Sequence, residues 1–288
     1  MSRTLEAPPP KQTLLSALEA RAPADAVAWL QAGMGSAAAE SSRDVLTPLF
    51  AAAMRRLGRE PLDAAASLST PCGPLVLDLW RRGDAARACL LIAATEAAPA
   101  GWEDLVTWLF RQGDEDERAA VIRSLCLLPQ PCSLLALALE AGRANSMTYY
   151  AALALDNPYP AACYDDHTFN HVVLKCLFNG LPIERVIGLR RRANPELTAM
   201  CENYIGERLA AERAVPADIW LALEPYAGAS GMALMASYLD HPDAAHRRYA
   251  ALALSRRRTE PGVEAALAAR LTRELDAAVR AAIGIPAE

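Results

Sequence analysis

Between Lys11 and Ile283 the chain is cut at short intervals into segments that can each hold one helix and little else. Apolar residues recur at helical spacing over roughly 10–15 residues, and then a Gly, Pro or polar step of about 2–6 residues intervenes. The stretch from Ala24 shows the format: Ala24-Asp25 precede Val27, Trp29 and Leu30, and Gly33 supplies the stop. Further segments run 42–57, 62–68, 74–82, 84–97, 102–112, 115–128 and 133–141, and later 183–191, 195–212, 217–226 and 244–257. No run alternates apolar and polar residues as a half-buried strand does. Of the 288 residues 53% are hydrophobic but only 6% aromatic. An apolar majority built on Ala and Leu favours helix over sheet. The expected fold is all-α.

Short helices with short breaks are the format of stacked helical pairs. Two internal echoes support it. DAAHRRYAA from Asp243 is answered by DAAVRAAIG from Asp276, and DAARACLLIA from Asp84 by DERAAVIRSL from Asp116. An acidic residue that accepts first-turn amides, followed by small residues and an arginine, resembles the start of HEAT-like repeats. The expectation is a HEAT-like solenoid, a right-handed stack of antiparallel pairs. Residues 11–288 then form one helical-repeat domain behind an extended or disordered tail at 1–10, with a distinct loop-helix block at 156–187. A compact bundle is the alternative.

That block, DNPYPAACYDDHTFNHVVLKCLFNGLPIERV from Asp156, departs from the alanine-rich background. Pro158 and Pro160 each remove an amide donor and push Asn157 and Tyr159 toward extended geometry, so DNPYP is expected to be non-helical. Asp165 or Asp166 can cap a helix running to Asn179, which Gly180 ends at positive φ; Pro182 suits the next first turn. On that helix Phe169, Val172, Val173 and Cys176 share one face, and His167, His171 and Lys175 lie on the other with Leu174 and Phe178. Apolar residues nearly all round predict burial, so the polar groups need partners from protein or ligand. A satisfied structural histidine pair and a snorkelling lysine are the plain account. The alternative is a site: the prolines pre-order the loop, and Asp156, Asn157 and Tyr159 offer directional polar groups. The helix behind them would present His167, Asn170, His171 and Lys175. Lys175 and Lys11 are the only lysines in an arginine-rich chain. An ammonium suits a compact anion or a carbonyl compound better than a guanidinium does.

The block also carries a resemblance. Asn157, Pro158, Tyr159 and Pro160, followed by Asn170, Val173, Leu174, Lys175, Leu177, Phe178, Gly180 and Pro182, resemble the EboA family. Such proteins are associated with a bacterial operon for secondary-metabolite traffic, in which a product or precursor leaves the cytoplasm. The resemblance implies a process rather than a reaction. Its implied partners are a small-molecule metabolite, other proteins of the same operon, or both.

Other classes find little support. The formal charge of −5 argues for no nucleic-acid partner. There is no Walker A loop, G-x-G-x-x-G or G-x-S-x-G, and no glutamate follows His167 as in H-E-x-x-H, so no cofactor and no metal is expected. Arg190-Arg191-Arg192 and Arg256-Arg257-Arg258 suit helix C-termini and could together form an anion patch. The seven cysteines show no C-x-x-C and read as reduced, mostly buried thiols. With no secretory h-region and no long uncharged apolar window, the expected location is cytoplasmic and no transmembrane segment is expected. The sequence therefore points to a non-enzymatic binding protein of metabolite traffic. An auxiliary enzyme of the same operon, with its site at 156–175, is the alternative.

Overall fold

The computed structural model describes residues 8–64, 67–98 and 100–284. Of the expected tail, residues 1–7 lie outside them. The chain divides into two compact units, one ending at Tyr164 and the other beginning at Asp165.

The first unit runs α1 (Pro10–Glu19), α2 (Ala24–Ala39), α3 (Arg43–Leu57), β1 (Ser67–Thr70), β2 (Gly73–Val76), α4 (Arg82–Ala97), α5 (Trp102–Gln112), α6 (Glu115–Ser124), α7 (Leu135–Arg143), α8 (Met147–Ala154) and α9 (Tyr159–Cys163). Its centre is α4, in which every residue from Gly83 to Thr95 is buried, against α1, α2, α3, α5 and α6. Alanines make this possible, because small side chains let neighbouring helices approach on all sides. Leu90 and Leu91, both fully buried, contribute about 1.5–3 kcal/mol each. Two charges enter this core with partners. Asp84 accepts from Nε and Nη2 of Arg81 at 3.0 and 3.1 Å and from Arg123 Nη1 at 3.4 Å. Arg87 Nε donates to the Phe50 carbonyl at 2.9 Å.

The structure departs from the expected helices at 62–68 and 74–82, where it has an antiparallel hairpin pairing Leu68 with Leu75 and Thr70 with Gly73. Pro71 disfavours helix at Thr70, and Gly73 takes φ +115°. The Thr70 hydroxyl then closes the turn, donating to the Gly73 carbonyl at 2.7 Å and accepting from the Cys72 amide at 3.2 Å. Each strand is four residues long, too short to register as alternation. Helix dominates all the same, with sixteen α-helices and one two-stranded sheet among the described residues.

The second unit runs α10 (Asp166–Asn179), α11 (Pro195–Ala210), α12 (Trp220–Leu223), α13 (Ala229–Ser237), α14 (Ala244–Ser255), α15 (Val263–Leu271) and α16 (Ala277–Gly284). Here α14 is central, packing against α12, α13, α15 and α16. The expected helix at 183–191 is instead a single 3-10 turn, Ile183–Arg185, followed by hydrogen-bonded turns, so Arg190–Arg192 do not end a helix. Behind the echoes are real caps: Asp243 accepts from the Ala245 amide at 2.8 Å, and Asp276 from Ala278 and Val279 at 2.9 and 3.0 Å. The earlier pair differs. Asp84 sits third in α4 and reaches back to the Arg81 amide, while α6 is capped by Asp114 rather than Asp116. Between the last helices Glu274 is 2% exposed and clamped. Arg247 grips both its oxygens at 2.9 and 3.1 Å, Arg270 Nε donates at 2.7 Å, and the Leu275 and Asp276 amides add two more bonds. Those donors hold its carboxyl down at about 2 against the cost of burial.

Candidate functional site

The unit boundary falls inside the central block, so its two parts are considered separately. In the first unit, DNPYP is only partly non-helical. Asp156 takes φ +57°, Pro158 is the cap residue, and Tyr159 and Pro160 begin α9. Proline is tolerated there because first-turn amides have no intrahelical acceptor.

Asn157, 2% exposed, spends its amide internally. Nδ2 donates to the carbonyls of Ile122 at 3.3 Å and Ala152 at 2.9 Å, and Oδ1 accepts from the Tyr159 amide at 3.0 Å. Tyr159 is fully buried and donates its hydroxyl to the Pro131 carbonyl at 3.0 Å; burial pushes its phenol well above the usual range. Asp156 is also buried, and its carbonyl accepts from the Val76 amide at 3.1 Å. These groups splice α6, α8, the hairpin and the Pro131 turn together.

A disulfide does the same from the other side. Cys132 and Cys163 are bonded, with Cα atoms 5.3 Å apart, and tie the Pro131–Leu134 turn to the end of α9. This corrects the expectation that all the thiols are reduced. A separation of 31 residues carries no spacing signal. The remaining five cysteines are buried and not disulfide-bonded, and burial raises the thiols of Cys72 to about 11 and of Cys89 and Cys201 to about 12, which disfavours their reactive thiolate form.

In the second unit, α10 is capped as the sequence suggests. Asp165 accepts from the Thr168 amide at 2.8 Å, and Gly180 ends the helix at φ +70°. Phe169, Val172, Val173 and Cys176 are buried. The opposite face is not, which corrects the expectation of burial all round: the His167 side chain is 66% exposed and Phe178 is 73% exposed. At positions 167, 171, 175 and 178 the helix presents imidazole, imidazole, ammonium and phenyl along one stripe. Lys175 is half-buried, and desolvation lowers its pKa.

The two histidines are wired together. His167 Nδ1 donates to Glu196 Oε1 at 3.0 Å, so in the neutral ring its Nε2 carries a lone pair. His171 Nε2 lies 3.1 Å from that atom. Asn170, fully buried, faces inward: it exchanges hydrogen bonds with Asn194 at 3.1 and 3.0 Å and donates to Glu196 at 3.2 Å. Asn194 in turn caps α11 through the Leu197 amide at 2.9 Å. Arg192 pairs with Asp166 at 2.8 Å and lies over the Phe169 ring at 5.0 Å. Glu196 and Asn194 thus contact the candidate residues His167 and Asn170, though neither figures in the sequence expectation. The Asn194-Pro195 helix start was readable, but nothing local links it to His167 and Asn170.

The exposed stripe and the polar contacts behind it thus sit on the short-helix frame of a mostly helical protein. Among the described residues, no helix is long and apolar enough to cross a membrane, and no group of three or more His, Cys, Asp or Glu side chains is placed to hold a metal. The chain belongs to the EboA family, described as metabolite traffic protein EboA, whose sequence model matches residues 11–224. Comparison with curated proteins and with solved structures returned no match.

Proposed function

We propose that this protein serves metabolite traffic by binding rather than by turnover, and that the outward face of α10 is its docking stripe for a partner protein of the same system. The supporting observation is the alignment of His167, His171 and Lys175 with Phe178, an aromatic ring left 73% exposed on a helix whose other face is core. Exposed aromatic anchors beside polar groups are the usual energetic centre of protein interfaces, and a convex helix face suits a protein partner. Asn170 and Glu196 fix the stripe from behind, while Asp156, Asn157 and Tyr159 act as scaffold in the first unit. Within each unit we take the helical pairs as HEAT-like repeats. The matching aspartate caps that open α14 and α16 support this in the second unit.

The test is export of the metabolite in the native host with Lys175→Met and Phe178→Ala. Both should fold and accumulate normally while export fails. Normal export at wild-type abundance in both would refute the stripe. A second reading, an auxiliary enzyme, draws on the Glu196–His167–His171 chain, which could relay a proton. It requires His171→Gln to abolish conversion of the metabolite while partner capture persists. For location we propose the cytoplasm, which the five buried cysteines outside any disulfide support. Fractionation with thiol labelling tests it: recovery of the protein from an oxidising compartment with Cys132 and Cys163 blocked to labelling would refute it.

A further inference from the structure

Two clefts of the second unit share a wall. One, of about 460 Å³, is polar: Arg190, Arg191 and Arg257 line it around the buried carboxylate of Glu224, with Tyr226 beside them. The other, of about 530 Å³, is an apolar groove formed by Met232 and Ala233 of α13, Leu254 of α14, and Val263 and Ala266 of α15. Ala227 and Arg257 belong to both.

The arginines outnumber their local partners. Arg190 pairs with Glu224 at 3.0 Å; Arg257 donates to the Glu224 carbonyl at 2.8 Å and pairs with Glu260 at 2.9 Å. Arg191 is exposed, and half-buried Arg256 lines a third cleft with Arg190 and Arg191. Among the described residues no carboxylate forms an ion pair with Arg191 or Arg256. Arg190, Arg191 and Arg257, with Arg256 beside them, thus meet two carboxylates, Glu224 in the cleft and Glu260 on the far side of Arg257, in a chain whose overall charge is −5. Burial raises the Glu224 carboxyl despite Arg190, Arg256 and Arg257 around it. The local balance of charge is positive where that of the whole chain is negative.

We infer that the paired clefts bind a small amphipathic anion, a carboxylic acid or phosphate monoester with an apolar body. Its oxyanion rests on Arg190, Arg191 and Arg257 and its body lies in the α13–α15 groove. Guanidinium forks match carboxylate and phosphate oxygens two at a time, and Arg191 has its donors uncommitted. The Tyr226 ring, 53% exposed, offers a flat wall for an aromatic body, and the groove accepts an alkyl one. The site shares no residue with the α10 stripe, so it stands or falls apart from it.

Isothermal titration of the full-length protein tests this with 2-naphthoate and decyl phosphate, each against a neutral counterpart, 2-naphthamide and decanol. Saturable one-to-one binding is expected for the anions, with the neutral compounds at least about tenfold weaker, the value of one charge-assisted contact. Arg191→Gln, which removes a seat residue, combined with Arg256→Gln, which removes the charge of the adjoining cleft, should weaken the anions by a similar factor. Neither residue has an ion pair to lose, so folding, followed by circular dichroism, should be unchanged. Ala233→Trp fills the groove from an exposed position and should abolish binding of decyl phosphate more than of inorganic phosphate. Equal binding of anion and neutral counterpart, equal affinity for inorganic and decyl phosphate, or wild-type affinity in the double variant overturns the inference. So does binding only to anionic vesicles, which would make the cleft a membrane-surface contact instead.

Discussion

Asn157→Ala separates a scaffold from a binding loop most directly, because both accounts need the residue but for different reasons. The side chain makes three hydrogen bonds inside the first unit, to the carbonyls of Ile122 and Ala152 and from the amide of Tyr159. An unsatisfied buried polar group costs roughly 1–3 kcal/mol. The three losses are unequal. The Ile122 carbonyl keeps the Leu125 amide as a partner, so its deprivation is partial. The Tyr159 amide stands at the start of α9 and has no intrahelical acceptor, so its loss is complete. Weighting them in that way gives a destabilisation of about 3–4 kcal/mol. That is a large part of the roughly 5–15 kcal/mol that holds an ordinary domain. Urea unfolding followed by circular dichroism measures it, and the midpoint should fall with the slope unchanged. Asn157→Asp is the companion variant. It keeps an acceptor for Tyr159 but aims carboxylate oxygens at two carbonyls. Burial raises that carboxyl above its unfolded value, so the variant should be least impaired at low pH and lose stability as pH rises through the raised pKa. A loss below about 1 kcal/mol in Asn157→Ala, together with failed metabolite export, would refute the scaffold assignment and return Asn157 to the binding surface.

Three further outcomes are expected. Glu274→Gln should be less stable than wild type at neutral pH. Its folded pKa lies below that of an ordinary glutamate, so its contribution is present above about 4.5 and fades as pH falls toward about 2; the two unfolding curves should converge there, and a constant gap would refute the clamp. Non-reducing peptide mapping should recover Cys132 linked to Cys163, and Cys132→Ser with Cys163→Ser should cost about 3 kcal/mol under oxidising conditions and nothing under reducing ones. At Gly83 an added Cβ would come within 2.9 Å of the Met54 Cα, so Gly83→Ala should destabilise by about 1–3 kcal/mol, while Gly206→Ala, with open space around it, should not, as thermal melts can compare.

Local chemistry was legible. Asp165 and Gly180 bracket α10, and Asp243 and Asp276 begin their helices, because each of these bonds closes within a few residues of the side chain that makes it. The same is true of the family, since Asn157–Pro182 carries its block in contiguous order. Tertiary structure decided whatever depends on a distant partner. Helices were expected at 62–68, 74–82 and 183–191, yet the first two gave way to a hairpin over 67–76 and the third to turns, because short stretches take the conformation their burial partners reward. Asn157 and Asn170 read as candidate recognition groups until the fold brought Ile122 and Asn194 against them. Arg191 and Arg257 were two separate basic runs until the turns after Ile183 and the end of α14 set them around one cleft. A sequence records the donors and acceptors a residue owns, and only the packed chain settles which of them are spent inside and which are left for a ligand.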